Sequence, residues 1–333
     1  MNRYRKVGVA AILALAAGVS AASPYTGLVI LGDSLSDRGN VALAVGADPT
    51  QVITGNSYIP DRPYASGQFS NGDVWVNSFA TALGFASATL PSLAGGSNYA
   101  FGGARMAIDG AGLPPSLSVQ TSLYLGAHPL ASAGALYVVE GGGNDARDAL
   151  VAAASAANPF AAIAAAAAAY AQATGEIVDR LQAAGAQHIV VWDVPDLGTA
   201  PAVTALGAGA SFLGTQVALA MNGALAARMS GESGVSIFDL FALEDDFAAR
   251  PAFYGLGNVS DACGAVSGCN PSNYLFWDGI HPTSAGHALL AQGMLALVAV
   301  PEPASGALVV AGLLLMALRP RRKAGAARTE GDR

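Results

Sequence analysis

Charged side chains are scarce, at 12% of the chain, and the 16 Lys and Arg are outnumbered by 23 Asp and Glu, for a net charge of −7. A nucleic-acid partner needs a clustered basic surface to neutralise phosphates, and the notable basic clusters here lie only at the two ends, so no nucleic acid is expected. The two cysteines, Cys263 and Cys269, lie in one Gly/Ser-rich loop with no neighbouring histidine, which argues against a zinc site. There is no Gly-x-Ser-x-Gly elbow, no His-Glu-x-x-His and no Gly-x-x-x-x-Gly-Lys-Ser/Thr phosphate loop. Lack of the elbow disfavours the α/β-hydrolase fold, and no motif implies a cofactor. Histidine is also rare, with four in the chain, so candidates for a catalytic base can be taken one by one.

Against that background the stretch Gly32-Asp33-Ser34-Leu35-Ser36-Asp37 stands out. It follows a short apolar run, Leu28 to Leu31, that reads as a buried strand, and so places Ser34 at a strand's C-terminal end, where ligands bind in open α/β sheets. A serine alone is a poor nucleophile; ester chemistry also needs a base, a group to orient the base, and donors for an oxyanion. Asp278-Gly279-Ile280-His281 offers the first two. The three-residue step within a turn brings Asp278 against Nδ1 of His281 and leaves Nε2 to face Ser34. The other histidines fit less well. His188 begins an apolar strand, His128 adjoins Pro129 in a polar stretch, and His287 falls on a closing helix.

Between these ends the chain alternates strand and helix. A long loop is expected from Gly46 to Gly72, with a helix from about Val74 to Leu83. A short strand before the Gly102-Gly103 turn follows, then a strand over Ala135 to Val139. Two alanine-rich helices split at Asn158-Pro159 come next, followed by a strand from His188, a helix near Ser211 to Met229, a strand over Val235 to Phe238, and a last helix over Ser284 to Val298. This rhythm predicts five parallel strands covered on both faces, in one domain.

Together these motifs resemble the GDSL family of lipases and esterases, also called SGNH hydrolases, from about Leu28 to Leu297. Gln68 to Trp75 resembles the family's second landmark, Gly95 to Ala104 its third, and Gly142-Gly143-Asn144-Asp145 its Gly-x-Asn-Asp block. The resemblance implies a three-layer α/β/α, flavodoxin-like fold and a serine ester hydrolase with Ser34 as nucleophile, His281 as base and Asp278 as orienter. It implies an oxyanion hole from the Ser34 amide, a glycine amide (Gly103, with Gly102 next) and the Asn144 side chain, while Asp145 supports the loop. The substrate is an ester, whether lipid, aryl ester or acetylated glycan. The alternative is a surface protein that binds glycan or lipid in the same pocket without turnover.

The ends suggest an exported protein. Residues 1–22 pair a basic start with an apolar run and Ser20-Ala21-Ala22, the pattern of a signal peptide. In an exported chain Cys263 and Cys269 favour one short-loop disulfide, with two free thiols as the alternative. Residues 299–333 hold Pro301-Glu302-Pro303, an apolar segment over 304–318, and Arg319-Pro320-Arg321-Arg322-Lys323. This resembles the PEP-CTERM sorting signal of Gram-negative bacteria, which implies holding at the inner membrane until a sorting protease acts; a plain C-terminal anchor is the other reading. The catalytic domain is expected over 23–298, working in the periplasm, at the cell surface or in the medium.

Overall fold

The structure, a computed structural model, describes residues 23–298. The expected signal peptide and sorting tail lie outside the described residues. The first strand, β1 (Gly27–Leu31), is apolar throughout and leads into the Ser34 turn. After α1 (Asn40–Val45) and a long loop comes α2 (Trp75–Ala82). Helix α3 (Leu117–Ala127) starts at Ser116, whose hydroxyl accepts the Val119 N–H at 3.2 Å. Strand β2 (Ala135–Val139) is buried along its whole length and delivers the chain to α4 (Gly143–Ser155). The break at Asn158-Pro159 is the start of α5 (Pro159–Ala183). Asn158 caps it by accepting from the Ala161 N–H at 3.2 Å, and Pro159 takes the first turn, where no amide is needed.

Beyond it come β3 (His188–Trp192), the single turn α6 (Pro201–Thr204), α7 (Ala208–Met229) and β4 (Val235–Phe238). Helix α8 (Leu240–Ala249) is capped by Asp239, and β5 (Asn258–Ala262), β6 (Tyr274–Phe276) and α9 (Ser284–Val298) close the described chain.

The main sheet is parallel, in the order β1-β2-β3-β4. Alternate residues face opposite layers. Val29, Leu31, Tyr137, Val139, Ile189 and Val191 pack with residues of α3, α4, α5 and α7 in one large core. On the other face Trp75 of α2 meets Trp192 of β3 at 4.7 Å between ring centroids, and Trp192 meets Phe238 of β4 at 4.6 Å. Burial on both faces explains why these strands read as unbroken apolar runs.

The expected fifth strand of this sheet is not a strand. Residues 97–101 do run beside β1, with Ile30 N–H donating to Ser97 O (3.1 Å), Tyr99 N–H to Ile30 O (2.8 Å) and Phe101 N–H to Gly32 O (3.1 Å). Only Asn98 forms a bridge, however, because its own N–H and C=O turn away to Leu90 and Ser92 at 3.1 and 2.7 Å. A segment that divides its backbone groups between two neighbours cannot extend a ladder. The main sheet therefore has four strands, and β5 and β6 make a separate parallel pair. Cys263 and Cys269 are joined as a disulfide just after β5.

Candidate active site

The loops after β1, β2 and β3 meet at the carboxyl edge of the sheet, and the site is assembled there. The turn that carries Ser34 is held from several sides. Gln120 of α3 brackets Gly32, accepting its N–H and donating to its C=O, both at 2.9 Å. Asp33 Oδ1 accepts the Leu35 N–H at 3.0 Å, and Glu140 Oε2 accepts the Asp33 N–H at 3.1 Å. Gly32 is required by closeness: a Cβ there would stand 2.7 Å from Glu140 Oε2 and 2.9 Å from Ser36 Cβ.

His281 lies between Ser34 and Asp278. Its Nε2 is 2.8 Å from Ser34 Oγ and its Nδ1 is 2.8 Å from Asp278 Oδ2. Asp278 has no exposed surface, and its oxygens are fully engaged. Oδ1 accepts the N–H groups of Ile280 (2.8 Å) and His281 (2.7 Å), and Oδ2 also accepts the Tyr64 hydroxyl at 2.7 Å. Burial, followed by the adjacent Asp278 charge, raises the Tyr64 phenol well above its ordinary value, so it stays a donor. The Phe69 ring lies 5.5 Å from the imidazole, and Ser70 Oγ donates to Pro282 O at 2.9 Å. Asn71 Oδ1 accepts the Ser284 N–H at 2.8 Å. The segment from Gln68 thus fastens the histidine loop from outside.

Asn144 stands at the start of α4. Its Nδ2 donates to Ala104 O at 3.0 Å and toward Asp33 Oδ2 at 3.2 Å, while its Oδ1 receives Arg147 Nη1 at 3.4 Å. The Gly102 N–H is spent on Asp37 Oδ2 at 3.0 Å. Neither Gly103 N–H nor Ser34 N–H has an acceptor among the described residues. Gly103 holds φ +80, which a side chain would strain. Asp145 accepts the Met106 N–H at 3.1 and 3.3 Å and so ties down the loop beside Gly103; burial pushes its carboxyl up to about 6.

The remaining histidines stand away from Ser34. His188 meets Tyr25 edge-on at 5.5 Å, and His128 stacks on Tyr124 at 4.8 Å. His287 is buried on α9 with neither ring nitrogen hydrogen-bonded, and burial, then the neighbouring His281, lowers its value to about 3.

A small cleft of about 60 Å³ opens on Ser34 and His281, walled by Leu35, Leu197, Ala200, Phe276 and Ile280 and by the polar side chains of Arg147, Asp196 and Glu244. Several side chains in or behind the site carry no local sequence signal. Tyr64 reaches Asp278 across 214 residues, and Glu244 stands on a helix whose apolar pattern is irregular. Glu140 did carry one, an acid at the end of an otherwise apolar strand. It is buried against Asp33, and burial and the Asp33 charge raise its carboxyl well above the ordinary range. Among the described residues no three His, Cys, Asp or Glu side chains group as metal ligands.

Residues 28–294 match the family described as GDSL-like Lipase/Acylhydrolase. An uncharacterized protein of the trpE-trpG intergenic region of Pseudomonas putida is 30% identical over 87% of this chain and 51% of its own length. Esterase EstA of Pseudomonas aeruginosa is 29% identical over 85% of this chain and 48% of its own. The thermolabile hemolysin of Vibrio parahaemolyticus is 28% identical over 80% and 62%. The chain thus spans about half the length of the first two relatives. Phospholipase A1 from Streptomyces albidoflavus aligns over 82% of this chain and 99% of its own, at 20% identity and a TM-score of 0.42.

Proposed function

The chain belongs to the GDSL-like lipase/acylhydrolase family, and from that premise we propose that it hydrolyses carboxylic esters through an acyl-enzyme at Ser34. The observation that carries this reading is His281, with Nε2 2.8 Å from Ser34 Oγ and Nδ1 2.8 Å from a buried Asp278. In the proposed first step Ser34 Oγ bonds to the ester carbonyl carbon as its proton passes to Nε2. The imidazolium is stabilised by Asp278, whose remaining lone pairs are held by two backbone amides and Tyr64, so that the ring keeps one tautomer and one direction. Collapse of the adduct expels the alcohol, which takes the Nε2 proton. Water then enters by the same route in reverse and releases the acid.

The developing oxyanion would be met by the amides of Ser34 and Gly103 and by Asn144 Nδ2. Neither amide has an acceptor among the described residues, which suits the role. One Asn144 hydrogen is held by Ala104 O, and the longer contact toward Asp33 is the one a substrate oxygen would draw away.

We place this activity outside the cytoplasm. The reading rests on the signal-peptide pattern of residues 1–22, the short-loop disulfide, and the PEP-CTERM-like tail, which would be the target of a sorting protease after holding at the inner membrane. A panel of p-nitrophenyl esters of graded acyl length, run beside acetylated sugars, tests the reaction. Turnover by the native protein that is lost in both Ser34→Ala and His281→Ala is the expected result, while turnover surviving in either variant would overturn the assignment.

A further inference from the structure

The hydrolytic steps use one part of the cleft and leave another unexplained. Glu244 of α8 lines the same cleft as Ser34 and His281, at 9% exposure. Its carboxyl makes no hydrogen bond or ion pair among the described residues, and the groups that act on it electrostatically are Asp196, Asp193 and Asp245, all acids. Asp196 also lines the cleft; its Oδ1 accepts the Gly198 N–H at 2.9 Å and the Thr215 hydroxyl at 2.7 Å, while Oδ2 has no such partner among the described residues. A carboxyl that is both desolvated and surrounded by like charge is unfavourable when ionised.

The rest of the domain does not relieve it. Residues 23–298 contain seven arginines and no lysine against twenty acidic side chains. Arg105, Arg228 and Arg250 are paired with Asp148, with Asp179 and Glu232, and with Asp246. Arg147 lines the cleft but contacts Asn144, at the oxyanion end. Phe276 lines the cleft with Glu244, and an aromatic ring is the other protein group that attracts an ammonium ion.

We propose that the cleft selects esters that carry an ammonium group, held by the Glu244 and Asp196 carboxyls and the Phe276 ring while the ester carbonyl lies at Ser34. This rests on the ester-hydrolysis reading above. A cation answers both penalties on Glu244 at once, since it neutralises the acidic cluster and replaces lost hydration. Arg147 repels the same cation from the Asn144 end, so the two ends of the cleft set the direction in which such a substrate lies. A neutral Glu244 that merely hydrogen-bonds a substrate hydroxyl is the competing chemistry. Glu244→Gln separates the two, because the amide keeps the hydrogen-bonding capacity and loses the charge.

The test compares butyrylcholine with its uncharged carbon analogue, neohexyl butyrate, with Ser34→Ala rates subtracted as background. At pH 9 the native protein is expected to prefer the cationic ester in kcat/KM by roughly tenfold or more. Burial and the neighbouring acids push the Glu244 carboxyl up to about 8, so it is ionised above that pH and protonated below it. The preference should accordingly fall by about tenfold on going to pH 7. Asp193, Asp196 and Asp245, which act on Glu244, and Arg147, which shares the cleft, act on the cation as well, so the effect assigned to Glu244 is the part of the ratio that Glu244→Gln removes, whereas His281 serves both esters alike and cancels. Glu244→Gln should remove most of the preference at pH 9 and abolish its fall between pH 9 and pH 7, leaving only what Asp196 and Phe276 supply. Equal rates on the two esters at pH 9, or a ratio and pH dependence unchanged in Glu244→Gln, would overturn the proposal while leaving ester hydrolysis intact. Should neither ester turn over, calorimetric titration of the Ser34→Ala protein with tetramethylammonium decides. Binding that disappears on adding Glu244→Gln upholds the cation site and places the fault in the hydrolytic reading; no binding overturns the cation site.

Discussion

Asn144 and Tyr64 act on the reaction from opposite sides, and their removal should show in opposite degrees. Asn144→Ala deletes a donor to charge that exists only in the transition state, so kcat is expected to fall roughly 10²- to 10³-fold with KM almost unchanged. Tyr64→Phe removes one of several bonds to Asp278 and should lower kcat by only about 3- to 10-fold, the worth of one ordinary hydrogen bond, because the carboxylate keeps its other donors. Steady-state kinetics on one aryl ester checks both. His287 acts on stability instead. Its value is lowered to about 3 in the folded chain by burial and by His281, so the native state refuses a proton that the unfolded chain takes up below its ordinary value of about 6.5. Stability should therefore be lost as pH falls from about 6.5 toward 3. His287→Leu, which also removes two unpaired buried nitrogens, should flatten that acid limb in urea melts recorded at a series of pH values.

Among the elements, the start of α4 matters most to the site, since it aims Asn144. Gly142 precedes it at φ +106, and a Cβ there would run into the Tyr170 ring and approach Val194 to 3.1 Å. Gly142→Ala is expected to cost about 2–4 kcal/mol in urea unfolding and to lower kcat with it, because relieving the clash turns the helix and with it the amide. The glycine and asparagine of this turn were visible in the sequence for the same local reason that β1 to β4 were. An apolar run, a glycine turn and the residues that follow lie within a few positions of one another. The same locality placed Asp278 three residues before His281. It failed where a segment's partners are distant: residues 97–101 look like a strand but share their backbone bonds with Leu90 and Ser92. Helix α3, helix α8 and the short pair β5 and β6 lack a clean apolar period, and the capping residues Ser116 and Asp239 were the only local marks of the two helices. Glu244, Arg147 and Tyr64 enter the site only because the sheet gathers separate loops at one edge.

Across the whole chain, the proposed chemistry falls to the residues from β1 to α9, and the proposed role of the tail is a separate address. Ala304 to Leu318 carries no side chain that the proposed chemistry needs, so deletion of Val300 to Arg333 should leave a soluble esterase with kcat/KM within about twofold of the full chain, measured on one p-nitrophenyl ester. A loss of activity together with normal folding would show that the tail serves the site. The central claim, that Ser34 is a nucleophile activated by His281, is tested most directly by a fluorophosphonate probe followed by peptide mass mapping. One adduct per chain is expected, on the peptide carrying Ser34, absent from Ser34→Ala and formed far more slowly in His281→Ala. An unlabelled native protein, or an adduct on any other residue, would contradict it.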